Sequence, residues 1–189
     1  MRLAPLVLSV RESGRSGGCA QGFCPFCGAR LAEGQEPFLC PDGSPDFACA
    51  PCHLVRHLER DTIGDEAVLI WLPEMTQAAL NAVTNGAHKR LARHGALDRT
   101  ARPFDIAPDH VPKGPIEAIR ALEARSAEAE ARFGASSPRV LGAALMRMKP
   151  RVYEDRARLV GGLRLLSRGR FFVDDDDIYP KLIAERVAA

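Results

Sequence analysis

All six cysteines of this 189-residue chain, at positions 19, 24, 27, 40, 49 and 52, fall within one 34-residue window, and the 137 residues after Cys52 contain none. A disulfide scaffold would spread its cysteines through a small secreted domain, so local clustering points instead to metal. Four of the six form two close pairs, Cys24-Pro25-Phe26-Cys27-Gly28 and Cys49-Ala50-Pro51-Cys52, with 21 residues between them. Cysteines three apart can aim both sulfurs at one ion if the backbone turns sharply, and Gly28 tolerates the backbone such a turn requires. The spacing therefore predicts one structural zinc ion held by Cys24, Cys27, Cys49 and Cys52. No βαβ pattern surrounds either pair, which disfavours a thioredoxin-like redox role.

Composition narrows the class. Hydrophobic residues are 46% and charged residues 26%, a globular balance that excludes wholesale disorder. Lys+Arg 26 against Asp+Glu 24 leaves +2, so no global basic field marks a nucleic-acid protein. No apolar run approaches the ~18–20 residues of a membrane helix. Residues 3–10 are too short for a signal peptide, contain Pro5 and lack a cleavage site, and so read as a strand. A soluble, intracellular protein is the expectation.

Along the chain, Pro37–Cys40 and Asp46–Ala48 predict a hairpin around Pro41-Asp42-Gly43-Ser44-Pro45. A helix carrying Leu54 and Leu58 follows, its first turn supplying the last two ligands. The apolar run Ala67-Val68-Leu69-Ile70-Trp71-Leu72 reads as a core strand ended by Pro73. Pro73 and Glu74 suit a helix start, Met75, Ala79 and Val83 follow at i, i+4, i+8, and Asn85-Gly86 supplies its stop. Four prolines in residues 98–115 mark a connector. Residues 116–133 predict a separate helix with an Ile116, Ile119, Leu122 stripe and a Glu128–Arg132 pair. Further helices are expected from Val140 to Met148, over 152–166 despite Gly161-Gly162, and over 178–187, with the acidic run 174–177 at the last helix's start. The predicted class is α+β: residues 1–18 as strand and flexible lead-in, 19–97 as a zinc head with its following strand and helix, and 98–189 as connector and mostly helical extension.

The remaining chemistry-bearing residues have plain readings beside sharper ones. Cys40 reads as a small buried hydrophobe and Cys19 as a loop thiol. His53 and His57, four apart on one helical face, read as partly buried or hydrogen-bonded to a zinc sulfur, with a metal or proton-transfer role as the alternative. Residues 139–170 carry nine Lys/Arg and two Asp/Glu, a net +7 that fits a solvated face, an acidic partner tail or an anionic membrane surface.

CPFCG followed by ACAPCHLVRHL resembles the zinc-bound version of the HNH endonuclease fold, which implies a treble-clef, ββα head. The resemblance fails where chemistry would lie. No His occurs between Cys27 and Cys49, no Asn precedes Asn81, and Leu39-Cys40-Pro41-Asp42 stands where an Asp-His is expected. Phosphodiester hydrolysis needs a positioned base and catalytic-metal ligands. Residues 19–60 are also formally −2, from three Lys/Arg and five Asp/Glu, a charge that phosphate backbones repel.

Over roughly residues 20–185 the chain resembles the DotN (IcmJ) family of type IVB secretion and related conjugation systems, on CPFCG, CHLVRHL, VLIWLPEMTQAALNAV, GGLRLLSRGRFF and DDIYPKLI. That resemblance implies a noncatalytic zinc adaptor without a small-molecule substrate. It would bind the C-terminal extension of a DotL-like coupling ATPase beside a DotM-like subunit, cytoplasmic and recruited to the inner membrane through that complex. The rival expectations are a divergent HNH-type nuclease using His53, His57 and Asp42, or a zinc module binding nucleic acid through residues 139–170.

Overall fold

The run Ala67–Trp71 is the spine of the molecule, and both of its faces are buried. Ala67 and Leu69 join one apolar cluster with Leu54, Leu58, Leu163 and Phe171. Val68 and Ile70 join another with Leu72, Leu80 and Leu166. Burial on both faces explains why the run is continuously apolar rather than alternating.

The computed structural model describes residues 3–14, 22–31, 35–97 and 112–188. Cys19 and most of the proline-rich connector, including Pro103 and Pro108, lie outside the described residues. The elements are β1 (Phe38–Leu39), β2 (Pro45–Asp46), α1 (Ala50–Arg56), α2 (Ile63–Glu66), β3 (Ala67–Trp71), α3 (Gln77–Ala92), α4 (Lys113–Ala124), α5 (Ser126–Phe133), α6 (Pro138–Met146), α7 (Pro150–Glu154), α8 (Arg156–Leu159), β4 (Leu163–Ser167), β5 (Phe172–Val173), β6 (Asp176–Asp177) and α9 (Tyr179–Ala188). Helices and small antiparallel strand pairs make the fold α+β. The pairs are β1–β2, β3–β4 and β5–β6.

β3 and β4 run antiparallel from Ala67↔Ser167 to Trp71↔Leu163, joining residues on either side of the 97/98 boundary. A bare two-stranded ribbon is marginal in water. Here both outer edges are satisfied. On β3, Leu69 N donates to Ser136 O at 2.9 Å and Trp71 N to Arg125 O at 3.2 Å. On β4, the Gln77 amide acts as a short extra strand, accepting from Leu165 N at 2.8 Å and donating to Leu165 O at 2.9 Å.

Several elements differ from the sequence expectation. Residues 3–10 form no strand with the other described residues and are held instead through Ser9 N to Val55 O at 2.9 Å and Leu58 N to Ser9 O at 3.1 Å. α3 begins after Thr76, whose hydroxyl accepts from Ala79 N at 3.2 Å, and runs through Asn85-Gly86. Its buried stripe is Gln77, Leu80, Asn81, Thr84, Asn85, His88 and Leu91, while Val83 is exposed. That stripe is mostly polar, so hydrophobic periodicity does not reveal it. The helix expected over 116–133 starts earlier, with Pro115 in its first turn, and breaks at Arg125, whose carbonyl serves β3. It is not a separate piece, since Ile116, Ile119 and Ala129 are buried against the body. The Glu128–Arg132 pair forms at 2.7 Å.

The helix expected over 152–166 is instead α7, α8, a glycine turn and β4. Gly162 has φ +89°, and a Cβ there would overlap the Trp71 ring, so the chain must turn into a strand at this point. Asp174 and Asp175, both at positive φ, form the tip of the β5–β6 hairpin rather than a helix N-terminal cluster. Only Asp177 serves the helix start, its carboxylate accepting from Phe171 N at 3.0 Å and Tyr179 N at 3.2 Å.

Two predictions follow from this packing. Gly162→Ala should cost about 2–4 kcal/mol, combining positive-φ strain with overpacking against Trp71, read as a lowered midpoint in urea unfolding. His88, fully buried, shares a 2.7 Å hydrogen bond with the Tyr179 hydroxyl, and burial pulls its imidazole down to about 3. The unfolded chain then binds the extra proton between the ordinary value of 6.5 and about 3. Its contribution to stability is complete above that window and is lost as pH falls through it. His88→Gln should flatten the pH dependence of stability there relative to the parent chain, and an unchanged slope would contradict the assignment.

Candidate metal centre

Cys24, Cys27, Cys49 and Cys52 converge, with their sulfur atoms all within 4.8 Å of one another. The first pair sits on a tight turn in which Gly28 N donates to Cys24 O at 2.9 Å and Cys24 N donates to Ala29 O at 2.8 Å. Gly28 is left-handed at φ +70°, the conformation expected of it. The second pair opens α1. Cys49 is its N-cap residue, and Pro51 occupies an early position where a missing N–H leaves no helical bond unmade. Cys27 and Cys49 Sγ atoms lie 3.5 Å apart, close to the edge of a tetrahedral thiolate site.

The electrostatics of the quartet fit a cation. Hydrogen bonds from Cys27, Cys49 and Cys52 pull the Cys24 thiol far below its ordinary value. Burial pushes the Cys52 thiol up, and the neighbouring cysteines add to that. Four thiolates at this separation cannot coexist in an apolar setting without a compensating ion. Phe26, Leu31 and Ala48 supply that setting.

The sulfurs also receive donors that the sequence did not announce. Asn81 Nδ2 donates to Cys52 Sγ at 3.2 Å, Asn85 Nδ2 approaches Cys49 Sγ at 4.0 Å, and Cys49 N donates to Cys24 Sγ at 3.4 Å. Both asparagines lie on the polar face of α3, four residues apart and continuing from Gln77 at the same interval. That i, i+4, i+8 polar stripe was the available signal. Outer-shell donors of this kind orient ligands and dissipate charge on the sulfurs.

His53 and His57 share a face, with ring centroids 4.3 Å apart, but neither is bonded to a sulfur of the quartet. His53 Nδ1 is bonded to Asp46 Oδ2 at 2.9 Å, and Arg56 Nη1 lies 2.5 Å from the same oxygen. Asp46 was missed in the sequence because it is a lone acid in a hairpin. Burial pushes its carboxyl up, yet the His53 hydrogen bond and the Arg56 charge outweigh this and hold it below the ordinary range. Burial pulls His53 down to about 4 despite Asp46, leaving a neutral ring at pH 7. Asp42 is separate from this group: its carboxylate accepts from Ser44 N at 2.9 Å in the exposed hairpin turn. Cys40 is buried as expected, and burial together with Asp46 pushes its thiol up.

No protein-family model and no curated protein matches the chain. Among the described residues no helix is long and apolar enough to cross a membrane.

Loss of any one thiolate should abolish stable metal binding, because structural sites of this kind carry on the order of 10–16 kcal/mol of apparent binding free energy. Cys52→Ser should therefore come through purification without stoichiometric metal. Asn81→Leu should retain the ion yet surrender it to a competing chelator, with affinity lowered roughly 10–100-fold. Equal metal retention in the parent, Cys52→Ser and Asn81→Leu proteins would contradict the site.

Proposed function

We propose that the N-terminal half is a treble-clef, HNH-like head fixed by one zinc ion, and that the protein is a noncatalytic adaptor of a type IVB-like secretion or conjugation coupling complex. Four thiolates with no protein-free coordination position suit zinc in a structural role. The knuckle, the β1–β2 hairpin and α1 supply the parts of a treble clef in the right order. The family resemblance supplies the partner: the C-terminal extension of a DotL-like ATPase, with a DotM-like subunit alongside and membrane recruitment only through the complex.

The observation that carries the adaptor reading is the surface of residues 138–159. Val140, Met146, Val152 and Leu159 are 43–55% exposed there, interleaved with exposed Arg147, Lys149 and Arg151, while Arg158 pairs with Asp155 at 3.8 Å beside exposed Glu154. Large apolar side chains flanked by cations suit an acidic segment with apolar anchors, which would lose conformational entropy on docking while burying those side chains. Charge complementarity would chiefly accelerate the encounter. A nuclease reading finds less support. Asp42 is engaged in a turn, and His53 is 2% exposed and committed to Asp46.

Calorimetric titration of the zinc-loaded protein with the C-terminal extension of the coupling ATPase should show saturable binding that weakens with salt. Absence of heat at high concentrations of both soluble components would remove the adaptor reading. Plasmid DNA should stay intact with the purified protein and Mg²⁺, Mn²⁺ or Ni²⁺. Cleavage that disappears on His53→Ala would restore the nuclease alternative.

A further inference from the structure

Beside the cysteine quartet, a second group of buried donors has the makings of a metal site. Cys40 Sγ, His57 Nε2 and a carboxylate oxygen of Asp46 all lie within 4.8 Å of one another. All three residues are at most 4% exposed. Cys40 sits at the end of the hairpin's first strand, Asp46 in its second strand and His57 at the end of α1, so three separate segments converge on one point.

Their orientation is more telling than their proximity. Glu59 Oε1 lies 2.9 Å from His57 Nδ1. A proton on Nδ1 donated to that carboxylate leaves the lone pair on Nε2, which faces Cys40 Sγ at 3.5 Å. A carboxylate on one imidazole nitrogen and a thiol, itself a metal ligand once deprotonated, on the other is the usual setting of a metal-bound histidine. A tetrahedral ion bonded to sulfur at ~2.3 Å and to nitrogen at ~2.0 Å holds those two ligands about 3.5 Å apart. Asp46 contributes the second independent observation. Its Oδ2, engaged by His53 and Arg56, lies 4.0 Å from His57 Nε2, and the other oxygen of the same carboxylate, Oδ1, is buried and has no hydrogen-bond partner among the described residues. An unpaired carboxylate oxygen in that setting is costly unless something cationic meets it.

The fourth direction is open. A cavity of about 260 Å³, lined in part by Leu39, Cys40, Pro41, His57, Glu59 and Arg60, reaches Cys40 and His57 from outside, while Asp46 lies behind them. It gives an ion an entry path and leaves room for a water ligand.

We propose that Cys40, His57 and Asp46 form a second site for a divalent metal ion of zinc's class, distinct from the four-cysteine site and carrying an exchangeable water in its fourth position. One sulfur, one imidazole nitrogen and one carboxylate oxygen is a mixed donor set that zinc and cobalt accept, whereas Mg²⁺ and Ca²⁺ want oxygens alone. Uptake releases the Cys40 thiol proton to solvent and leaves the Asp46–Arg56 ion pair in place. The site is independent of the adaptor reading.

Full-length protein, stripped of metal under reducing conditions and reconstituted with Zn²⁺, should hold two ions after dialysis against metal-free buffer. X-ray absorption should then count an average of about 2.5 sulfurs per zinc, against four for the quartet alone. His57→Ala and Cys40→Ala should each hold one ion and keep the four-thiolate Co²⁺ spectrum of the quartet, which also reports a folded head. A single zinc with four-sulfur coordination in the parent protein, or two zincs persisting in either variant, overturns the proposal. Should a variant fail to fold, the parent protein's sulfur count decides by itself.

Discussion

Convergence of four sulfur atoms within 4.8 Å of one another is the constraint on which residues 22–31 and 49–58 depend. The segments that bring them together are short: a four-residue turn, two two-residue strands and a seven-residue helix. None of these could stand alone by propensity, because a helix of this length and a hairpin of two-residue strands are marginal in water. A cation bound there would offset the repulsion among thiolates and replace much of the apolar area the segments lack.

The centre is not an isolated bead, because α1 belongs to two environments. Cys49 and Cys52 face the other two cysteines, whereas Leu54, Val55 and Leu58 enter the main core with Leu69, Leu163 and Phe171. α3 joins the same two regions from the other side. Gln77 completes the edge of β4, and Asn81 and Asn85 reach the sulfurs. Two helices thus lie between the cysteine cluster and the β3–β4 ribbon, whose own hydrogen bonds are made without the sulfurs. The polar face of α3 is buried because each amide on it has a specific partner.

What the sequence made legible was chemistry with rigid spacing. The four cysteines, the turn at Gly28, the hairpin around Asp42-Gly43 and the strand ended by Pro73 could all be read from local rules. Features settled by tertiary context could not. Asn85-Gly86 looks like a helix stop, but Asn85 is held by packing toward Cys49, and α3 continues. Residues 163–167 carry leucines at helix-compatible intervals, yet β3 needs a partner there and Gly162 turns the chain into it. Asp46 gave no signal because its significance lies in His53, Arg56 and His57, residues that a helix brings back to the hairpin.

The central claim, that a metal at the four cysteines organises the head, is tested most directly by hydrogen exchange with and without a strong chelator. Removal of the ion should strip protection from the amides of 22–31 and 49–58 while those of 67–71 and 163–167 keep theirs, since the ribbon's hydrogen bonds do not pass through the sulfurs. Unchanged protection across 22–31 and 49–58 after complete metal removal would contradict the account.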